Sequence, residues 1–358
     1  MKQEEILEIL KMVAPGTVFR EGLDNILKAK TGALIVVAQS EEFMKEVVDG
    51  GFLINQDLTP ANIYELAKMD GAIVISKDMK KVLMANAQLV PDHKIKTFET
   101  GTRHRTAERV AKQTNELVIS ISQRRGIITI FKGDFRYVIS ETSAVIMRAN
   151  QTLEALEKYK AVFDNLLNIL SEHEFDDIVS LETVANSIYR SEIIMRMEAE
   201  VKRNILELGN EGRLVNIQLE ELIANVESEE KLIIQDYMVV KKRSTKTPET
   251  ILKEIRKLDR KELVITEKII KNLGYDIDNN VLDLNVSPKG YRLLSKVPKM
   301  PTYVIEKTVE TFGSLQGVCS ATIDELDEVE GIGEVRAKII NQSLRRMQEQ
   351  YILKGYNI

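Results

Sequence analysis

The sequence has one cysteine, Cys319, in 358 residues. An intrachain disulfide is therefore impossible, and a zinc-finger type of site is excluded. No apolar run approaches the roughly 18–20 residues of a membrane-spanning helix. The first residues, Met1-Lys2-Gln3-Glu4-Glu5, are acidic and lack a signal-peptide core. These absences predict a cytoplasmic protein with no membrane partner. No Gly-x-x-x-x-Gly-Lys-Ser/Thr occurs, so there is no Walker-type phosphate loop. An excess of basic charge is missing as well. The net charge is −5, which argues against a general nucleic-acid coat. The acid is concentrated in the middle, with net charges of +2, −8 and +1 over residues 1–148, 149–286 and 287–358. A nucleic-acid contact must then be local.

What is present supports two or three domains. Residues 3–13 have helical apolar spacing and stop at Pro15-Gly16. A second short helix is predicted over 21–29. Ala33-Leu34-Ile35-Val36-Val37 is a continuous apolar run and predicts a buried strand. Asp49-Gly50-Gly51 reads as a turn. Thr59-Pro60 reads as a helix start, with the helix running to Lys68. Strands are predicted at 72–76, 81–88, 117–121, 127–131 and 135–139. Strands mixed with helices over about 145 residues indicate one α/β domain with a central mixed sheet flanked by helices.

From Ser143 the apolar residues recur at three- and four-residue steps, predicting a long amphipathic helix. Helical texture continues through 181–208, 214–225 and 232–240, and 241–248 reads as a charged hinge. The middle part, 149–286, is expected to be an all-α spine. The last part, 287–358, contains two similar halves. In the clear one, 324–329 and 334–347 are helices around the hairpin Glu330-Gly331-Ile332-Gly333. In the degenerate one, Val297-Pro298-Lys299-Met300-Pro301 occupies the hairpin position and 303–312 the following helix. Glycines suit a hairpin whose N–H groups approach phosphate closely. Arg336, Lys338, Arg345 and Arg346 supply charge nearby. Gly331, Ile332, Gly333, Arg336 and Lys338 are the expected DNA contacts.

The stretch that organises the chain is Gly101-Thr102-Arg103-His104-Arg105-Thr106-Ala107-Glu108-Arg109. Arginines grip anionic oxygens with forked, charge-assisted hydrogen bonds, and hydroxyls at a helix start complete such a cradle. A second stretch, Lys68-Met69-Asp70-Gly71-Ala72, runs straight into an apolar strand. Together, Asp-Gly-Ala and Arg-His-Arg resemble the two signatures of the diadenylate cyclase family. Residues 64–68 and 99–114 extend the likeness. With the hairpin ending, the three-part order is similar to the DNA-scanning branch of that family over essentially the whole chain.

That resemblance implies condensation of two ATP into cyclic di-AMP, with Mg2+ or Mn2+ as cofactor. It implies Asp70 as metal ligand and activator of the 3′-hydroxyl, with Arg103, His104 and Arg105 also catalytic. Gly71, Ala72, Leu89, Thr102, Arg103, His104, Arg105, Thr106, Ser122 and Arg124 are the expected ATP contacts, Leu89 through its backbone towards the base. Gly71 is expected to let the nucleotide approach the main chain. A two-fold product suits cyclase domains paired face to face. The resemblance further implies an octamer, a tandem helix-hairpin-helix domain binding branched DNA such as Holliday junctions, inhibition by that DNA, and a nucleoid-associated place in the cytoplasm. The competing reading is a DNA-binding scaffold whose nucleotide domain only senses ATP. A nuclease would need clustered carboxylates beside the hairpin, and Glu330 and Glu334 are too few.

Overall fold

Ala33–Ala38 forms β1, every residue of it buried, and the N-terminal sheet is built outward from it. The other strands are β2 (Val48–Asp49), β3 (Phe52–Asp57), β4 (Ala72–Ser76), β5 (Lys81–Leu89), β6 (Leu117–Ser122), β7 (Ile127–Lys132) and β8 (Phe135–Ile139). Their order is β2-β5-β4-β1-β6-β7-β8, with β3 also on β5. β1 is parallel to β4, Ile35 facing Ile73, and antiparallel to β6, Ile35 facing Ile119. The sheet is therefore mixed. The computed structural model describes residues 3–38, 43, 46–239, 246–277 and 280–355.

Successive side chains of a strand point to opposite faces, so a continuous apolar run must be covered twice. Ile35, Val37, Ile73, Ile75, Ile119 and Ile121 face one way. They pack with Phe19, Leu23 and Ile26 of α2 (Val18–Lys28) and Ile63 of α3 (Pro60–Leu66), beside α1 (Gln3–Met12). Leu34, Val36, Val74 and Val118 face the other way, against Ala107, Val110 and Ala111 of α4 (Thr102–Thr114). Each such side chain contributes roughly 1.5–3 kcal/mol relative to exposure.

The predicted strands all form. β3 was not anticipated, because Phe52–Asp57 is exposed or half-buried throughout and has no inward apolar alternation. The second helix starts earlier than predicted, at Val18, because the Thr17 hydroxyl accepts from the Arg20 N–H and caps it there.

The chain divides into two units, Met1–Gln151 with Val201–Ile217, and Thr152–Glu200 with Gln218–Ile358. Beyond the sheet lie the long helices α5 (Thr142–Asp176) and α6 (Leu181–Leu208), then α7 (Arg213–Ile223) and α8 (Val226–Tyr237). The helix expected from 232 begins at Val226, after Asn225 takes a left-handed φ of 66°. Most of the predicted hinge at 241–248 lies outside the described residues. Next come α9 (Pro248–Lys257), α10 (Arg260–Leu263), α11 (Thr266–Leu273), α12 (Tyr291–Leu294), α13 (Thr302–Phe312), α14 (Leu315–Ser320), α15 (Ile323–Asp327) and α16 (Glu334–Gly355). No helix among the described residues is long and apolar enough to cross a membrane.

Within the second unit a buried polar knot fixes α12. Arg292 is fully buried, and a buried charge must be paired. Its guanidinium donates twice to Glu174 and once to the Ser171 hydroxyl at 2.8 Å. The Tyr237 hydroxyl donates to the same Glu174 at 2.8 Å. The Asp236 carboxylate accepts from the N–H groups of Gly290, Tyr291 and Arg292 at 2.8, 2.7 and 3.0 Å. Those three donors open a helix and would otherwise be orphaned inside the protein.

Candidate active site and nucleic-acid interface

The turn into β4 and the start of α4 meet at one open cleft of about 640 Å³. Asp70 lines it together with Gly71, Ala72, Leu89, Thr102, Arg103 and Thr106 of the expected ATP set. Asp70 stands exposed at the mouth. Gly101 is the N-cap of α4 and provides no side-chain cap, so the first N–H groups of a 13-residue helix lack side-chain partners there. Such a helix start favours an anion.

Gly32 lies beside the Arg103 guanidinium. A Cβ there would run into the end of that flexible side chain and stand 3.1 Å from Ile121 O.

Gly71 also answers to its neighbours in the fold. Its φ is +86°, and a Cβ there would meet Ala87 O and Asn86 C of β5 at 2.9 Å. The glycine is required by the neighbouring strand.

Leu89 owes its position to ladder geometry. Val90 N–H donates to Val47 O at 2.8 Å, towards β2. Antiparallel backbone groups alternate sides, so the Leu89 amide and carbonyl turn the other way, towards the Asp70 turn. β4 begins only at Ala72, opposite Ala87, and so does not extend far enough to pair with them.

Four expected residues are not on the cleft wall. Half-buried His104 packs edge-on against Phe131, ring centroids 6.4 Å apart. Burial pushes its imidazole below the ordinary pKa; Arg103, Arg125 and Arg136 add to this and Glu99 opposes it. Arg105 and Arg124 are exposed. The Ser122 hydroxyl accepts from the Arg125 N–H at 3.1 Å, within the β6–β7 turn. Arg109, part of the basic stretch, faces away and donates to Ile95 O at 3.0 Å. Glu108 beside it accepts from Thr97, from Phe98 N–H at 3.1 Å and from Lys112 at 2.8 Å, pinning the loop before α4.

The cleft also contains Leu34, Asp49, Gly50, Gly51, Asn86, Ala87 and Gln88, which were not singled out. Asp49-Gly50-Gly51 is the predicted turn, between β2 and β3, and only its pairing with the end of β5 brings it here. Asp49, Asp70 and Asn86 offer hard oxygen donors. Among the described residues no three His, Cys, Asp or Glu side chains form a complete cation cage. Hard oxygens are the donor type that Mg2+ or Mn2+ takes, and such an ion would need substrate phosphate and water to complete its shell.

At the other end of the chain, a turn joins α15 to α16. Gly331 has φ +87°, and a Cβ on it would come within 3.0 Å of the Tyr303 ring. The Cβ direction of Gly333 is nearly open, with its nearest neighbour 4.0 Å away. Ile332 is buried and its N–H donates to Val329 O at 2.9 Å, so its side chain belongs to the core and its amide to the turn. The Arg336 guanidinium folds back onto Gly331 O, and Lys338 pairs with Glu334. Residues 291–312 repeat this arrangement thirty-two positions earlier, with Leu294 and Val297 buried where Leu326 and Val329 are.

A cleft with a turn carboxylate facing an uncapped, arginine-bearing helix start belongs to the nucleotide-binding class of site, and the comparisons with known proteins agree. The family description "DisA bacterial checkpoint controller nucleotide-binding" matches residues 20–135, and "DisA bacterial checkpoint controller linker region" matches 139–282. The DNA integrity scanning protein DisA of Carboxydothermus hydrogenoformans is 56% identical over 350 residues, covering 98% of this chain and 99% of that one. Its namesakes in Acetivibrio thermocellus and Clostridium botulinum (strain Loch Maree) are 53% and 51% identical; each match covers 98% of this chain, with 97% and 98% of those chains. The chain belongs to the DNA integrity scanning protein DisA family, and it is a diadenylate cyclase.

Proposed function

We propose that the chain condenses two ATP molecules into cyclic di-AMP and two pyrophosphates, under the control of DNA bound at its C-terminal hairpins. The observation that carries the first half is the meeting of Asp70 with Thr102, Arg103 and Thr106 around one cleft. Each 3′-hydroxyl attacks the α-phosphate of the other nucleotide, and positioning and charge stabilisation supply most of the catalysis. Arg103, the Thr102 and Thr106 hydroxyls and the open N–H groups of α4 hold the phosphates. The Leu89 backbone meets the base edge. Asp70 holds the divalent cation and orients the attacking hydroxyl. A bound Mg2+ or Mn2+ supplies neutralisation of developing phosphate charge. His104, packed edge-on against Phe131, positions the helix start. Exposed Arg105 and Arg124 remain available at the periphery.

One cleft holds one nucleotide, so a two-fold product requires two cyclase domains face to face, with further pairing to an octamer. The two hairpins support a tandem helix-hairpin-helix reading. Their contacts are to phosphates, with little dependence on base sequence. Branched DNA such as a Holliday junction engages several copies of this domain and lowers synthesis, a role consistent with a cytoplasmic, nucleoid-associated protein.

The test is mass spectrometry of products formed from ATP with Mg2+ or Mn2+, by the full chain and by Asp70→Asn. The variant keeps its shape and loses the charge. ATP binding is expected to persist while cyclic di-AMP falls at least about a hundredfold. Near-normal turnover would sink the assignment.

A further inference from the structure

Asn86 lies inside β5, where an extended strand keeps φ negative, yet its φ is +50°. The register accounts for the break. Ala72 pairs with Ala87 and Val74 with Met84, so Ala85 and Asn86 together stand opposite the single residue Ile73. This is a β-bulge, and bulges beside active sites re-aim a side chain. Ala85 is buried, and Asn86 is the half-buried member that lines the cleft.

Backbone tolerance alone does not account for the residue. Asparagine adopts a left-handed φ more readily than most residues because its short side chain can bond locally. The Asn86 amide makes no hydrogen bond among the described residues. Glycine would fit the same φ without strain. The space beside the amide is also left bare. The Cβ position of Gly71 is 3.0 Å from Asn86 Oδ1, and that of Gly51 is 3.0 Å from Ala87 Cα, so neither neighbour has a side chain to cover the bulge. The amide therefore stands next to the Asp70-Gly71 turn with its donors and its acceptor free.

What it faces follows from the nucleotide reading above, on which the inference rests. There Asp70 meets the attacking 3′-hydroxyl, the Leu89 backbone meets the base, and the start of α4 meets the phosphates. The ribose then lies along the wall between Asp70 and Leu89, where Gly71 and Asn86 are. Beside the 3′-hydroxyl the sugar carries a 2′-hydroxyl, which takes no part in the condensation. A hydroxyl both donates and accepts hydrogen bonds, and a side-chain amide can answer both. The ionised carboxylates of Asp49 and Asp70 only accept, which suits a cation better. We propose that Asn86 is a specificity-determining residue, whose amide holds the ribose 2′-hydroxyl and so selects ribonucleotides over deoxyribonucleotides.

The test measures binding of 3′-deoxyATP and 2′,3′-dideoxyATP in the presence of Mn2+, by calorimetry, to the full chain and to Asn86→Gly. Both compounds lack the attacking hydroxyl, so neither condenses, and they differ only in the 2′-hydroxyl. The parent is expected to bind 3′-deoxyATP about 3–10-fold more tightly, the scale of one neutral hydrogen bond. Asn86→Gly should bind the two equally, near the parent's affinity for the dideoxy compound. Thermal unfolding should show the variant folded, since glycine suits the left-handed φ. An asparagine that served the bulge alone would leave the ratio unmoved. Equal binding of both compounds by the parent, or the parental ratio in Asn86→Gly, overturns the inference and leaves the ATP site standing. A variant that binds neither compound also overturns it, because one lost hydrogen bond does not abolish binding. A parent that binds neither overturns the nucleotide reading as well.

Discussion

Replacing Gly71 with alanine tests why that glycine is there. At φ +86° an alanine costs about 1–2 kcal/mol in backbone strain alone. Its Cβ would stand 2.9 Å from Ala87 O and Asn86 C. Both are main-chain atoms of β5, held in the ladder, so they cannot swing aside as a side-chain end would. Overpacking of this kind adds about 1–3 kcal/mol. The expected loss is about 2–5 kcal/mol, which lowers a midpoint by about 4–20 °C at roughly 2–4 °C per kcal/mol. The shift also moves Asp70, one residue away, and a displacement of about 1 Å at a reacting group can cost about a hundredfold in rate. Thermal unfolding is followed by circular dichroism, and cyclic di-AMP synthesis is measured at a temperature where the variant is folded. If the midpoint is unchanged while ATP affinity falls, the reasoning is wrong, and the glycine serves nucleotide approach as the sequence alone suggested.

Arg103→Ala should weaken ATP binding by on the order of 1.5–3 kcal/mol, the scale of a charge-assisted hydrogen bond. Arg105→Ala, off the cleft wall, should lose much less in the same calorimetric titration; equal losses would show that ATP binds beyond this cleft. Arg292→Met strands the buried Glu174 carboxylate and should destabilise the second unit by about 3–5 kcal/mol, with part recovered by adding Glu174→Gln. Urea unfolding checks this, and a single variant as stable as the parent would mean that the polar knot contributes nothing to holding α12.

The strands and most helices were legible because burial leaves a periodic trace. β1 is apolar at every position because both its faces are covered, and that shows in six consecutive letters. Asp70, Thr102, Arg103 and Thr106 were legible because a turn and a helix start keep their chemistry within a few neighbouring residues. The hairpin at Gly331 was legible for the same reason. β3 was not, since Ile54 alone of this exposed edge strand packs against the core, and one residue makes no periodic trace.

The sequence by itself thus determined the sheet's central strands, the two cyclase motifs and the hairpin ending, because each depends on residues close together in the chain. Only the tertiary structure decided that Asp49 and Gln88 join Asp70 at one cleft, since strand pairing across β5 brings them there. It alone showed that Gly71 stands too close to the β5 main chain for a side chain, and that Arg109 and Glu108 hold a loop while Arg103 lines the cleft. Neighbours on a helix point in different directions, and a one-dimensional motif does not record which of them the sheet, the loop or the cleft will meet. The glycines show the same limit: a letter reports that no side chain is tolerated, and only the atoms around it report what takes the space.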